Sequence, residues 1–216
     1  MTASTPVAGS YAAVFTAALL GSDCHVVGLA DEPQALPVPG WSRPASASDL
    51  AVLGHCRGET LDVGCGPGRM TRALAELGHA ALGIDVVPEA VQMTRRRGAL
   101  ALLRDVFGPV PGEGRWETAL LADGNIGIGG DPRALLVRLH RLLAPGGRVV
   151  VDLAAPGVGV RSRSVHLETR LLRSRPFPWA VVGVDAIGFL AATSGFSVHG
   201  VHVHRGRWFA VLGVTR

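Results

Sequence analysis

Apolar residues recur along this chain in two alternating rhythms. Short continuous apolar runs read as buried strands, and between them lie segments whose apolar positions fall three or four apart, as on one face of a helix. Thr60–Val63 predicts a first strand. A helix follows from about Arg69 to Leu77, with Leu74 and Leu77 on one face and Gly78 closing it. Ala80–Asp85 predicts a second strand. Pro88 then suits the first turn of a helix that carries Ala90, Val91 and Met93 and stops at Gly98. Leu100–Arg104 reads as a short third strand ending at Asp105, and Thr118–Ala122 as a fourth ending at Asp123. Asp131 and Pro132 pair an N-cap with a first-turn proline. Leu135, Leu136, Leu139, Leu142 and Leu143 form the apolar face of the helix they start. Pro145-Gly146-Gly147 ends that helix, and Arg148–Leu153 is a fifth strand. Strands that alternate with helices in this way predict a parallel sheet covered on both faces.

The flanks are less regular. Residues 1–8 are expected to fray, and Gly9 to Gly21 reads as a short helix. Residues 22–45 hold Cys24, His25, Trp41 and prolines at 33, 37, 39 and 44, which predicts an irregular arm. Ser46 or Ser48 caps a helix that reaches about His55. Residues 155–178 read as an Arg-rich insertion containing Arg161, Arg163, Arg170, Arg173 and Arg175. A helix over about Val184–Thr193 precedes two strands, Val198–His204 and Trp208–Val214, joined through Arg205-Gly206-Arg207 as an antiparallel hairpin. The fold class expected is α/β: a Rossmann-like, doubly wound, seven-stranded, mostly parallel sheet with a C-terminal antiparallel hairpin. The division expected is a helix and irregular arm over 1–45 and a main domain over 46–216 with the insertion at 155–178.

The junction after the first strand carries the most chemistry. It runs Leu61-Asp62-Val63-Gly64-Cys65-Gly66-Pro67-Gly68-Arg69. Glycines at 64, 66 and 68 let the backbone turn tightly and approach a ligand without Cβ interference. Asp85 ends the next strand about 20 residues on, where a carboxylate can accept both hydroxyls of a ribose. Strand, glycine-rich turn, helix, strand and acid form an arrangement that binds an adenosine-containing cofactor. The nicotinamide and flavin pattern is G-x-G-x-x-G. Here the third glycine comes one residue early, and Arg69 stands where that pattern has glycine.

The run resembles motif I of the class I S-adenosylmethionine (SAM)-dependent methyltransferases, a hydrophobic-acidic-hydrophobic strand end followed by GxGxG. The acids at 85 and 105, the Leu-x-Pro-Gly-Gly ending at Gly147 and the terminal hairpin extend the resemblance from about residue 46 to the C-terminus. The stretch Asp123 to Pro132 is similar to one found in actinobacterial-type methyltransferase-domain proteins, and it supplies no substrate. The resemblance implies that Gly64, Cys65, Gly66 and Gly68 approach the methionine part of SAM, with Asp62 orienting its ammonium. It implies that Asp85 holds the ribose and Val86 packs on the adenine edge. Asp105 would accept the adenine amino group, and Val106 would donate its N–H to the ring. Asp123, Gly124 and Asn125 would flank the sulfonium and the methyl acceptor. This loop lacks the Asp/Asn-Pro-Pro-Tyr/Phe signature of methyltransferases that act on base or glutamine amino groups. Glycines 127, 129 and 130 suggest close backbone approach or a mobile loop.

Composition narrows the function further. At 216 residues and 48% hydrophobic content the chain is a folded protein of about one domain. All 21 basic residues are Arg, and the net charge of +4 permits an anionic partner without requiring one. Cys24, Cys56 and Cys65 are odd in number and follow no framework spacing, which points to a reducing, cytoplasmic setting. Tyr11 to Leu20 is apolar, but no basic residue precedes Arg43. It is too short to span a bilayer, so neither a signal peptide nor a membrane span is expected. His202 and His204 share one face of their strand and His199 does not, and no carboxylate or cysteine lies near in sequence, so no metal is expected.

The expected activity is transfer of a methyl group from SAM to a small-molecule acceptor. Asn125, Trp41, Arg161 and Arg163 are the candidate acceptor contacts, since arginine binds carboxylate or phosphate bidentately. Tyr11 and His25 in the arm are further candidates to cover the acceptor. Asp123 and His166 are the candidate bases. An RNA methyltransferase is the first alternative, although no Lys cluster or aromatic stacking motif supports it. A SAM-binding protein that does not methylate is the second. Arg69 and the terminal hairpin oppose a nicotinamide oxidoreductase.

Overall fold

A computed structural model describes residues 6–215. The predicted alternation builds a seven-stranded sheet. Its strands are β4 (Thr60–Val63), β5 (Ala81–Asp85), β6 (Ala101–Leu103), β7 (Trp116–Leu121), β8 (Leu143–Leu153), β12 (Phe196–His204) and β13 (Arg207–Val214). They lie in the order β12-β13-β8-β7-β4-β5-β6. The five strands from β8 to β6 run parallel, and β13 and β12 close the other edge antiparallel. The connecting helices are α3 (Ala47–Leu53), α4 (Arg69–Glu76), α5 (Pro88–Arg96), α6 (Pro132–Leu142) and α7 (Ile187–Ala192).

Period-two alternation along each strand feeds two layers of core. Leu61, Val63, Leu121, Val149 and Val151 pack with Leu135, Leu136 and Leu139 of α6. Leu120, Val150 and Phe209 point the other way, onto Val52 and Leu53 of α3 and Met70 and Leu74 of α4. Ser46, not Ser48, caps α3. It does so as a capping box in which Asp49 bonds back to the Ser46 backbone.

The flanks depart from the sequence expectation. The expected first helix is α1 (Tyr11–Leu19), but the arm after it is not irregular: it forms β2 (Cys24–Val27), β3 (Gln34–Ala35) and α2 (Val38–Ser42). Of the residues expected to fray, 1–5 lie outside the described residues, and Val7–Gly9 form β1. The Arg-rich insertion is likewise strand: β9 (Val160–Thr169), β10 (Leu172–Ser174) and β11 (Phe177–Val182). These pieces pair with each other. β2 runs antiparallel to β9 from Cys24↔Thr169 to Val27↔His166, and β1 runs parallel to β10. Arm and insertion therefore make one second sheet, although most of the main domain separates them in sequence.

That sheet packs on α1. Cys24 and Leu167 meet Val14, Phe15, Ala18 and Leu19, and the cluster continues to Val87 and Ala90 at the start of α5. It is held over the main sheet by the glycine-rich loop between β7 and α6. A Cβ on Gly127 would stand 2.1 Å from the Ala180 carbonyl oxygen and 2.7 Å from the Trp179 indole nitrogen. The Ser162 hydroxyl donates to the Gly130 carbonyl at 2.7 Å, and Ile128 bridges to Trp179. The loop is thus a seat for β11. Among the described residues no helix is long and apolar enough to cross a membrane.

Overfilling the Gly127 contact should be costly. Gly127→Ala is expected to lose about 1–3 kcal/mol, or roughly 3–10 °C in Tm. Gly188→Ala, on α7 with nothing within 4 Å of the added Cβ, should be neutral or gain up to about 1 kcal/mol. Thermal melts compare them, and equal Tm values would refute the close seating of β11.

Candidate active site

A cavity of about 340 Å³ opens at the C-terminal ends of β4, β5 and β7, beneath α1 and β11. In open α/β sheets ligands bind in this place. Its floor is the turn after β4. The Gly64 and Cys65 amides donate to the Ile84 carbonyl at 2.8 and 3.0 Å, which ties the turn to β5. Gly66, at φ +54°, has nothing within 4 Å of where a Cβ would point. Its amide donates to Asp85 Oδ2 at 2.9 Å, and the Val87 amide donates to Oδ1 at 2.8 Å. Burial pushes the Asp85 carboxyl up, and these backbone donors pull against it. The fixed carboxylate keeps lone pairs free toward the cavity.

Asp62 lines the same floor and is fully buried, accepting from the Thr71 hydroxyl at 2.6 Å. Burial dominates and raises its carboxyl to about 7, against the Thr71 bond and with help from Asp123 and Asp85. Cys65 is buried with its Sγ 3.8 Å from Thr94 Oγ1, and burial pushes its thiol well up, so it stays protonated.

Beside the floor lies a cluster of five charges. Arg69, with 4% of its side chain exposed, donates to Asp49 at 2.5 Å and to Asp123. Arg207 donates to Asp49 at 2.6 Å and to Asp152, and lies 3.4 Å from Asp123. The Asp123 amide donates to Asp152 at 2.7 Å. Burial opposes ionisation of Asp49, but its Ser46 bonds and the Arg207 and Arg69 guanidiniums outweigh that and hold its carboxyl at about 2. Burial alone would lower Arg207, yet Asp152, Asp123 and Asp49 raise it, so it stays charged.

A methyltransferase domain family model matches residues 60–147, the stretch that carries the turn, Asp85, Asp105 and Asp123. Residues 60–147 thus carry a methyltransferase domain. The chain's whole fold matches a SAM-dependent methyltransferase from Bacteroides fragilis solved with S-adenosylhomocysteine. The TM-score is 0.79 at 20% identity, covering 95% of this chain and 94% of that one. Trans-aconitate 2-methyltransferase of Paracidovorax citrulli is 30% identical over 70% of this chain and 56% of its own length. A demethylmenaquinone methyltransferase of Tropheryma whipplei is 34% identical over 51% of this chain and 46% of its own length. The chain spans about half or less of the length of the curated relatives it matches.

The methyltransferase cavity brings together Asp62, Gly64, Cys65, Gly66, Asp85, Val86, Asp105, Val106, Asp123, Asn125 and Trp41 from the sequence candidates. Asp105 is exposed and caps its own loop, accepting from the Phe107 amide at 3.0 Å. Val106 is buried, with its carbonyl taken by Arg138 at 2.8 Å. Gly68 and Gly124 lie outside the lining. Gly68 serves close packing instead, because a Cβ there would sit 2.5 Å from Thr94 Oγ1 on α5. Asn125 lines the cavity, yet its amide nitrogen donates to the Val63 and Gly64 carbonyls at 2.8 and 2.9 Å. It braces the turn from across the site.

Three candidates sit elsewhere. His166 lies outside the lining, because Val165 and Leu167 take the inward face of β9 and alternation turns His166 to the other side. There its Nε2 is 3.5 Å from Glu168. Arg161 and Arg163 are exposed on β9 opposite Val181 and Trp179, again outside the lining. Their half of β9 extends past the core. Of the arm's other candidates, Tyr11 lines the cavity and His25 lies outside the lining. Sequence reasoning missed Phe15, Ile128, Phe177 and Trp179, which also line the cavity, and the pairing of Asp49 and Arg207 with Arg69. The aromatic residues were visible as residues, but no spacing rule linked α1 to β11. His202, in the C-terminal strand pair, stacks on Phe209 and contacts His55.

Two stability measurements test this arrangement. The Asp62 carboxyl is raised on folding, so the folded state holds a proton that the unfolded state has lost. Stability should fall as pH rises from about 4 to 7 and level above it. Asp62→Asn should remove that fall, and equal pH slopes for both proteins in urea titrations would overturn it. Arg207→Met leaves three carboxylates to one guanidinium and should cost about 3–5 kcal/mol in chemical denaturation. A loss below about 1 kcal/mol would show that the cluster is not desolvated.

Proposed function

We propose that this protein transfers a methyl group from SAM to a small-molecule acceptor. The observation that carries the reading is Asp85, pinned by two backbone amides at the lip of a glycine turn, in a cavity closed by a second sheet. The residues present fit the cofactor. Gly66 leaves open space where a Cβ would stand, the Asp85 oxygens suit a ribose diol, and Val86 and Val106 offer apolar contact for a base. Bound SAM supplies a methyl group on a sulfonium, an electrophile that needs no further activation.

The chain's own residues then bind, orient and exclude water. Asp62 offers its carboxylate to the ammonium of the amino acid part. Asp105 and Val106 offer an acceptor and an amide to the base. Asp123 is shared between two guanidiniums, which hold its carboxylate in place to orient the acceptor. Burial and the nearby Asp85 push the Tyr11 phenol up, so it remains a donor at neutral pH. The second sheet, made from the arm and the insertion, is the substrate cover.

The enclosed, roofed cavity favours a small molecule over RNA, whose methylated base must be presented on a larger ligand. The relatives named for trans-aconitate and demethylmenaquinone support that size class. Three free, buried cysteines fit a reducing, cytoplasmic setting.

Calorimetric titration tests the reading. S-adenosylhomocysteine and SAM should bind at micromolar level and NAD should not. Asp85→Asn, which loses charge and one acceptor, should weaken both sulfur ligands about 10- to 100-fold. Absence of binding by either sulfur ligand would overturn it.

A further inference from the structure

Five aromatic side chains line this cavity, out of six Phe, four Trp and a single Tyr in the chain. They touch in sequence as a continuous wall. Trp41 stacks on Phe15 with centroids 6.0 Å apart, and Phe15 on Tyr11 at 5.5 Å. Tyr11 meets Phe177 edge-to-face at 4.9 Å, and Phe177 meets Trp179 edge-to-face at 6.4 Å. The far end of the wall, Phe177 and Trp179, stands over Ile128 of the loop that follows Asp123. Strand β11 lies in contact with that loop, with Ala180 and Trp179 against Gly127 and Pro178 against Gly130.

The charge at this end is equally specific. Arg69 is the cation in the lining here, and Asp49 and Asp123 already hold it. With Arg207 and Asp152 the cluster comprises three carboxylates and two guanidiniums, so its net charge is negative. Arg104, the other lining cation, follows β6 beside Asp85, where its amide donates to the Asp85 carbonyl at 3.0 Å. That is the ribose end. Arg161 and Arg163 lie outside the lining. Among the described residues, no unshared cation faces the space between Trp179 and Asp123.

Resting on the methyltransferase reading, we propose that the acceptor is a planar aromatic molecule without carboxylate or phosphate. Its ring lies against Phe177 and Trp179, and an N–H or O–H on the ring points to Asp123. Ring faces and edges attract through their quadrupoles, and a flat acceptor fills a slot that a branched aliphatic acid does not. A carboxylate placed there would meet a net negative cluster and lose its water without a partner. Trp179 and Phe177 are thus specificity-determining residues that the second sheet delivers to the site.

The test uses the full chain saturated with S-adenosylhomocysteine. Calorimetry follows titration with a panel of planar phenols (8-hydroxyquinoline, 4-hydroxyquinoline and 7-hydroxycoumarin) and, separately, with trans-aconitate. At least one planar phenol should bind below about 1 mM, and trans-aconitate should not. Trp179→Ala should weaken the phenol about tenfold or more, the loss of one aromatic contact. Trp179→Phe should retain most of the affinity, and S-adenosylhomocysteine binding should stay within about twofold in both variants, which reports intact folding. Binding by trans-aconitate alone, by no member of the panel, or equally by wild type and Trp179→Ala would overturn the proposal. Failure of S-adenosylhomocysteine to bind wild type would overturn the cofactor reading instead.

Discussion

Three carboxylates and two guanidiniums, three of the five buried, tie separate parts of the chain together beside the cavity floor. Asp49 comes from α3, Arg69 from the first turn of α4, Asp123 from just past β7, Asp152 from β8 and Arg207 from the start of β13. The buried charges of Asp49, Arg69 and Asp152 are tolerable only because their partners are there. Removing one partner leaves an uncompensated ion, whereas removing all five would be far less harmful. The cluster therefore acts less as a source of stability than as a register mark. It sets where the terminal hairpin and α3 meet the cavity. Asp123 has φ +52°, an unfavourable region for a residue with a side chain, and its amide bond to Asp152 helps hold it there.

Arg69 gives the cluster a second meaning. It occupies the position at which a dinucleotide-binding turn would carry its third glycine, so the residue that separates the two cofactor patterns is also the centre of the charge network. A glycine there would leave Asp49 and Asp123 facing each other with half of their countercharge gone. Cofactor choice and the packing of α3 are in this sense one property of one side chain.

Above the floor, the structure depends on a close approach between backbones. In the loop from Gly124 to Gly130, glycines 127 and 130 stand at the closest approaches of β11, so the second sheet sits directly on the first domain. That contact carries Phe177 and Trp179 to the cavity, and α1 brings Tyr11 and Phe15 to meet them. A cavity with an acidic, hydrogen-bonded floor and an aromatic roof results. The floor suits a charged cofactor and the roof a flat, apolar partner.

The main sheet, its strand order class, the glycine turn and Asp85 were legible in the sequence because each is encoded locally. Apolar periodicity, caps and a turn of fixed spacing act within a few residues, and the fold obeys them to the residue at Thr60–Val63, whereas α6 stops at Leu142, and Leu143 and Pro145-Gly146-Gly147, expected to close the helix, already belong to β8. The arm and the insertion were not legible. Strands β2 and β9 owe their pairing to each other across more than a hundred residues, and half of β9 carries Arg and Ser with no inward alternation to reveal it. The same holds for the candidates that lie outside the cavity lining. His166 and Arg163 have suitable chemistry, but the facing of β9 and its reach beyond the core decide that neither enters the cavity. The sequence alone determined the cofactor-binding frame, because that frame is local geometry. Only tertiary structure decided the cavity's aromatic roof, because it is assembled from distant segments whose register no local signal sets.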